Sequence, residues 1–193
     1  DMPLEEGVTR KKLHHRRVEC EGFLRADGLW DIEGHMVDTR TYDCTYDEFH
    51  RDGLISAGEP VHDMLLRLTI DLDFKIHAVS AASEHTPFAI CTRAAAEMQA
   101  LVGLSIGSGW MKKVRQRIGS NKSCTHLIDL LGPLAATAYQ TLHAALEERE
   151  ALQPTREKPP ILDTCLALAS DGDVVRNRWP EFFVDKLQAE VKT

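Results

Sequence analysis

From Val18 to Ala82 the apolar residues recur at every second position, in runs separated by turn residues. A period of two places alternate side chains on opposite faces of a strand, so this half of the chain is restricted to a sheet with one apolar face. Val18, Cys20 and Leu24 share one face, and Asp27-Gly28 is a hairpin signal. On the return strand, Leu29 to about Asp38, the residues Trp30, Ile32, Gly34 and Met36 fall on one side, and Asp31, Glu33 and His35 on the other. Two further strands are expected at His62–Asp71 and Phe74–Ala82, with Met64, Leu66, Leu68 and Ile70 facing inward on the first, and Phe74, Ile76 and Ala78 on the second. Residues 39–61 carry polar groups and turns and read as a long, partly ordered loop.

An apolar sheet face needs cover, and beyond Pro87 the period changes to that of a helix. Thr92–Val102 carries Ala94, Met98, Leu101 and Val102 at helical spacing and closes on Gly103. Ser108 is expected to cap a short helix that turns Trp110, Val114 and Ile118 inward, stops at Gly119, and shows Lys112, Lys113, Arg115 and Arg117 outward. A long helical segment follows from Cys124 to about Arg149, striped by Leu127, Leu130, Leu131, Leu134, Ala138, Leu142 and Leu146; Pro133 inside it predicts a kink or a junction of two helices. The fold class is therefore α+β: an antiparallel meander over about 17–82, covered on one face by helices from about 92 to 149. The expected organisation is a basic arm at 1–16, a core domain at 17–150, and a linker and C-terminal appendage at 151–193. The linker carries Pro154, Pro159 and Pro160, and the appendage has an amphipathic end around Trp179, Phe182, Phe183 and Leu187.

Composition narrows the functional classes. Lys and Arg number 23 against 30 Asp and Glu, a net charge of −7, which argues against a large nucleic-acid footprint. No apolar run reaches the length of a membrane span, and no apolar leader follows Met2, which reads as the natural start. Five cysteines without a secretory signal point to free thiols or metal ligands in a reducing compartment, and the expected location is the cytoplasm. Gly107-Ser108-Gly109 is too short for a phosphate loop, and Asp171-Gly172-Asp173 lacks the spacing of a calcium loop.

The stretch from Cys91 to His126 holds the chemistry. A thiol works as nucleophile or ligand in its anionic form, which the positive end of a helix favours, and both Cys91 and Cys124 fall at predicted helix starts. His126 lies in the same first turn as Cys124, and Cys165 could complete three sulfurs and one nitrogen, a set that suits zinc or an iron–sulfur cluster. There is no Cys-x-x-Cys pair, so buried structural thiols are the competing reading; Cys20 is expected in the core and Cys44 in a loop. Three functions follow: a metal- or cluster-handling accessory protein using Cys91, Cys124, His126 and Cys165; a binding module that engages a ligand or partner enzyme through the sheet–helix groove or through Lys112–Arg117; or a thiol hydrolase or transferase with Cys124 as nucleophile, His126 as base and Asp63 or Glu33 as orienting carboxylate. His35, His62 beside Asp63, and His77 are further polar candidates. No membrane or nucleic-acid partner is expected.

Asp27-Gly28-Leu29-Trp30-Asp31-Ile32-Glu33-Gly34-His35, the Gly-Glu-Pro-Val-His-Asp core ending at Asp63, Gly103 to Trp110, and Cys124-Thr125-His126-Leu127 leading into Gly132-Pro133 together resemble a bacterial family known only as a domain of unknown function. Leu162–Cys165 and Trp179-Pro180 extend the resemblance over nearly the whole chain; Leu166 stands where that pattern often has a histidine. The resemblance implies identity more than activity. In layout the chain is also similar to iron–sulfur scaffold proteins of the IscU/NifU class, with Cys91, Cys124, His126 and Cys165 at the matching positions, but it lacks their adjacent histidine–cysteine pair and their carboxylate beside a cysteine.

Overall fold

The computed structural model describes residues 7–46, 50–119, 121–152, 157–159 and 161–185. The start of the basic arm, Pro154 and Pro160 of the linker, and Leu187 lie outside them. The chain divides into two compact units, Asp1–Glu147 and Glu148–Thr193.

The first unit is the expected α+β layer pair. Strands β1 (His14–Leu24), β2 (Trp30–Arg40), β5 (Pro60–Ile70) and β6 (Ile76–His85) form one antiparallel sheet in the order β1-β2-β5-β6. β1 begins at His14, ahead of the apolar alternation, because its polar first residues meet partners across the sheet. Ile32, Met36, Met64, Leu66, Leu68 and Ile70 are buried on the inner face. On the outer face Asp31 accepts from Thr69, Glu33 from Arg67, and His35 pairs with Asp63 at 2.7 Å, the ordinary behaviour of a solvated sheet face. The expectation for β6 needs one correction. A register shift between Thr69 and Ile70 leaves His77 without a partner opposite, so the side-chain phase flips: Val79 is buried and Ala78 exposed. Phe74 is buried as expected but lies in the preceding turn, at φ 59°. Residues 39–61 contain a small ribbon, β3 (Cys44–Thr45) with β4 (Leu54–Ile55), whose Cys44 and Ile55 are buried.

The cover is α3 (Thr125–Leu152), which buries Leu127, Leu130, Leu131, Leu134, Ala138 and Leu142, with Leu146 partly buried against the same core. Each such leucine stabilises by about 1.5–3 kcal/mol. α3 continues through Pro133 as one helix rather than two. Gly22 and Gly34 let it approach: a methyl on Gly34 would stand 3.1 Å from Leu134, and one on Gly22 would overlap Thr141. The region expected as a helix at 92–102 is a run of 3-10 turns around α1 (Ala94–Glu97), with Met98 and Leu101 buried and Gly103 at φ 84° ending it. α2 (Trp110–Ile118) turns Trp110, Val114 and Ile118 inward; Gly109, not Ser108, occupies its cap position. Arg117, from its basic face, donates to the carbonyl of Val102 at 3.0 Å. No described helix is long and apolar enough to cross a membrane.

In the second unit α4 (Asp173–Arg178) follows the Asp171-Gly172 turn. Asp163, at φ 62°, accepts from Lys158 at 2.6 Å and from the Ser170 hydroxyl and amide at 2.6 and 2.8 Å.

Candidate metal centre

The site is built on the inner face of the sheet at its β1–β2–β5 end. Asp38 continues the inward phase of Ile32, Gly34 and Met36, so its carboxylate points under the helix layer; it is 2% exposed. A charge there is costly unless paired, and the two flanking strands, β1 and β5, supply the partners. Oδ1 accepts from Arg16 Nε at 2.8 Å and from His14 Nε2 at 3.0 Å; Oδ2 accepts from Arg16 Nη2 at 2.8 Å and from His62 Nδ1 at 3.1 Å. Arg16 also reaches Asp129 of α3 at 3.2 Å. His62 lies opposite Asp38 and two residues before the inward Met64, so the alternation of β5 turns it inward; the pairing slips only beyond it, where Thr39 stands opposite Pro60 and Val61 is the extra residue. Helix α3 adds His126 at its first turn, with Nε2 4.0 Å from Asp38 Oδ2 and its ring stacked on that of His62, centroids 3.6 Å apart. These groups line a cleft of about 180 Å³ with Arg40 and Val61.

Electrostatics set the protonation states. Burial by itself would raise the Asp38 pKa, but the hydrogen bonds and charge of Arg16, helped by His62 and His14, reverse that and hold it below the ordinary carboxylate value. The His62 pKa is pushed down to about 4, first by burial and then by His126, against the pull of Asp38. Burial, then Arg16, lowers His126 as well. At neutral pH Asp38 is therefore a carboxylate, and His62 and His126 are neutral imidazoles. The ionised carboxylate can only accept, so His62 carries its proton on Nδ1. Donor atoms of Asp38, His62 and His126 all lie within 4.8 Å of one another, and among the described residues this is the group that could hold a metal ion.

Of the expected ligands Cys91, Cys124, His126 and Cys165, His126 alone belongs to that group; His62, one of the further polar candidates, joins it. Cys124 takes the cap position of α3, where its carbonyl accepts from Ile128, and its Sγ sits 3.5 Å from His126 Nδ1. Cys91 lies in the first 3-10 turn after β6; burial raises its pKa, and the neighbouring Cys124 adds to the rise. Cys165 is exposed, in the second unit. Among the described residues no cluster of cysteines suits an iron–sulfur group, so the metal-capable set is nitrogen and oxygen, not sulfur. Cys20 is half-buried against the core, and the buried Cys44 receives a hydrogen bond from Arg40 at 3.1 Å. Asp63 and Glu33, the expected orienting carboxylates, face the other side of the sheet, where Asp63 serves His35 and Glu33 serves Arg67; Asp38 stands in that place instead. The signal for Asp38 was a charged residue in phase with an apolar strand face.

Comparison with curated proteins gives no match, nor does comparison with solved structures. A family model matches residues 14–140, from the first residue of β1 through much of α3. The Trp30–His35 and Cys124–His126 blocks lie within that match, as do Arg16, Asp38 and His62, and the chain belongs to the family described as a protein of unknown function (DUF2889).

Proposed function

We propose that this protein binds and hands on a divalent transition-metal ion of the zinc type, held by Asp38, His62 and His126. The observation that carries the reading is the convergence of these three donors within 4.8 Å in a buried cleft. Zinc bonds to imidazole nitrogen and carboxylate oxygen at about 2.0–2.2 Å, which sets tetrahedral donors about 3.4 Å apart. The Asp38–His62 and Asp38–His126 separations, 3.1 and 4.0 Å, bracket that value. The ion takes the place of the Nδ1 proton between His62 and Asp38, and Arg16 keeps Oδ1 while ceding Oδ2. Each imidazole offers its lone pair in the ring plane, so loading turns the two rings out of their stack. Three protein ligands leave a fourth position open. An open position and a resident guanidinium competing for the carboxylate both favour exchange over permanent retention. Metal analysis and cobalt titration followed by visible absorption test this. One equivalent bound by the wild type, and loss of it in His62→Ala and His126→Ala, is the expected result. Absence of uptake, or equal uptake by all three proteins, overturns the proposal.

A second reading rests on a different contact. His126 presents Nδ1 to Cys124 Sγ at 3.5 Å and Nε2 toward Asp38 at 4.0 Å, the order of a thiol, a base and an orienting carboxylate. It requires iodoacetamide to label Cys124 faster than the other cysteines, and His126→Ala to abolish that advantage; uniform slow labelling eliminates it.

A further inference from the structure

The two edges of the main sheet differ. Along β6 the outward backbone is partly occupied: Ile76 exchanges hydrogen bonds with Gly103 and Leu104, and Gln99 Nε2 donates to the Val79 carbonyl at 2.6 Å. Along β1, among the described residues, no hydrogen bond reaches the outward groups. β1 pairs with β2 over eleven residues in an unbroken register and contains no proline and no bulge; the charges it carries are of both signs.

The phase of that edge is determined. Thr41 N–H donates to Leu13 O, and Arg25 N–H to Leu29 O, in the same register as the strand pair. Odd-numbered residues of β1 therefore exchange hydrogen bonds with β2, and the N–H and C=O groups of Arg16, Val18 and Cys20 point outward.

We infer that the free edge of β1 is the docking surface for β1 of a second copy of this chain, antiparallel, with the two-fold axis at Val18. In that register Val18 exchanges hydrogen bonds with Val18 of the second copy, and Arg16 with Cys20. The pairs between them have their side chains closest, and here they are complementary: Arg17 faces Glu19, His15 faces Glu21, and Leu13 faces Phe23. All six side chains are exposed on the outer face of the sheet. Leu13 and Phe23 are 54% and 44% exposed, so the apolar pairs lie uncovered at both ends of the seam. Moving the axis by one residue brings like charges together, Arg17 on Arg17 or Glu19 on Glu19. A parallel arrangement stacks the basic half of the strand on itself. The charge order of His14-His15-Arg16-Arg17-Val18-Glu19-Cys20-Glu21 thus selects one orientation and one register. The product is an eight-stranded continuous sheet.

Sedimentation velocity on the full chain, up to millimolar concentration, tests this. The wild type is expected to dimerise. Arg17→Glu sets Glu against Glu19 on both sides of the axis and should give monomer, whereas Arg17→Glu with Glu19→Arg restores every pair in reversed sense and should restore the dimer. Val18→Pro removes the outward N–H at the axis while sparing the ladder to β2, and should also give monomer. Should Val18→Pro fail to fold, the charge swap alone decides. A monomeric wild type, or a dimer indifferent to Arg17→Glu, overturns the inference.

Discussion

The imidazole of His62, on β5, lies against that of His126, on α3, with ring centroids 3.6 Å apart and planes 29° from parallel. Two stacked imidazoles in a half-closed cleft resist protonation, because a second charge has neither solvent nor room. In metal-free protein the His62 ring is expected to stay neutral down to about pH 4. An unfolded histidine titrates near 6.5. On acidification the unfolded chain takes up this proton first, so the stability that His62 contributes above about pH 6.5 is lost as pH falls toward 4. Nuclear magnetic resonance titration of the ring checks the value. His126→Ala, which removes a neighbour and admits water, should move it back up toward 6.5; a ring that titrates normally in the wild type contradicts the burial described above.

Arg16 is the counter-ion of a nearly buried carboxylate. Arg16→Ala leaves Asp38 charged with two histidines as its remaining donors, at an expected cost of about 2–3 kcal/mol. That is below the loss for a fully buried pair, since the Arg16 side chain is 36% exposed. Arg16→Ala together with Asp38→Asn should recover part of the loss in denaturant unfolding. The metal reading adds a second signature: zinc should raise the melting temperature of Arg16→Ala more than that of the wild type, because the ion supplies the missing positive charge.

Gly22 permits α3 to rest on β1. Alanine there overlaps Thr141 and comes within 2.7 Å of its Cβ, so Gly22→Ala should destabilise by about 1–3 kcal/mol, although alanine suits a strand better than glycine. Thr141→Ala deletes two of the three crowded atoms. The double variant should therefore be less destabilised than the sum of the two single ones, measured by urea unfolding.

In the second unit Asp163 holds residues 158 and 170 together from a left-handed backbone position. Asp163→Ala removes every one of these bonds and keeps the strained φ, so proteolysis within 161–185 should accelerate several-fold. Asparagine tolerates that conformation and still accepts from the Ser170 amide; Asp163→Asn should be cut at close to the wild-type rate.

The sheet and its cover were legible because burial imposes a period. Trp30 to Met36 alternates without a fault, and Leu127 to Leu142 keeps helical spacing, so each element declares its inner face. Two features hid. The shift at His77 moves burial from Ala78 to Val79, and nothing in either small apolar residue marks it. His14 to Arg17 have no apolar alternation at all and join β1 through Asp38 and Asp129, partners remote in sequence. The site was half legible for the same reason. Cys124 and His126 are neighbours along the chain and could be seen together. Asp38 and His62 meet them only through strand pairing and helix docking. Cysteine at a predicted helix start points to sulfur ligands, but it is the lone charge on the apolar face of β2 that marks the site.

The four acceptor positions of Asp38 are filled by β1 and β5, and α3 closes over them. The groups that meet there run from His14 to His126, nearly three-fifths of the chain in order of synthesis. A nascent chain on the ribosome therefore makes His14 and Arg16 early and leaves Asp38 without its helix roof until α3 has emerged. Without α3 the Asp38 carboxylate stays hydrated, and without Arg16 of β1 the closure of α3 would bury that charge unpaired, which disfavours it. The cleft thus forms with the complete domain, late and cooperatively, and any signal from its histidine rings counts finished molecules.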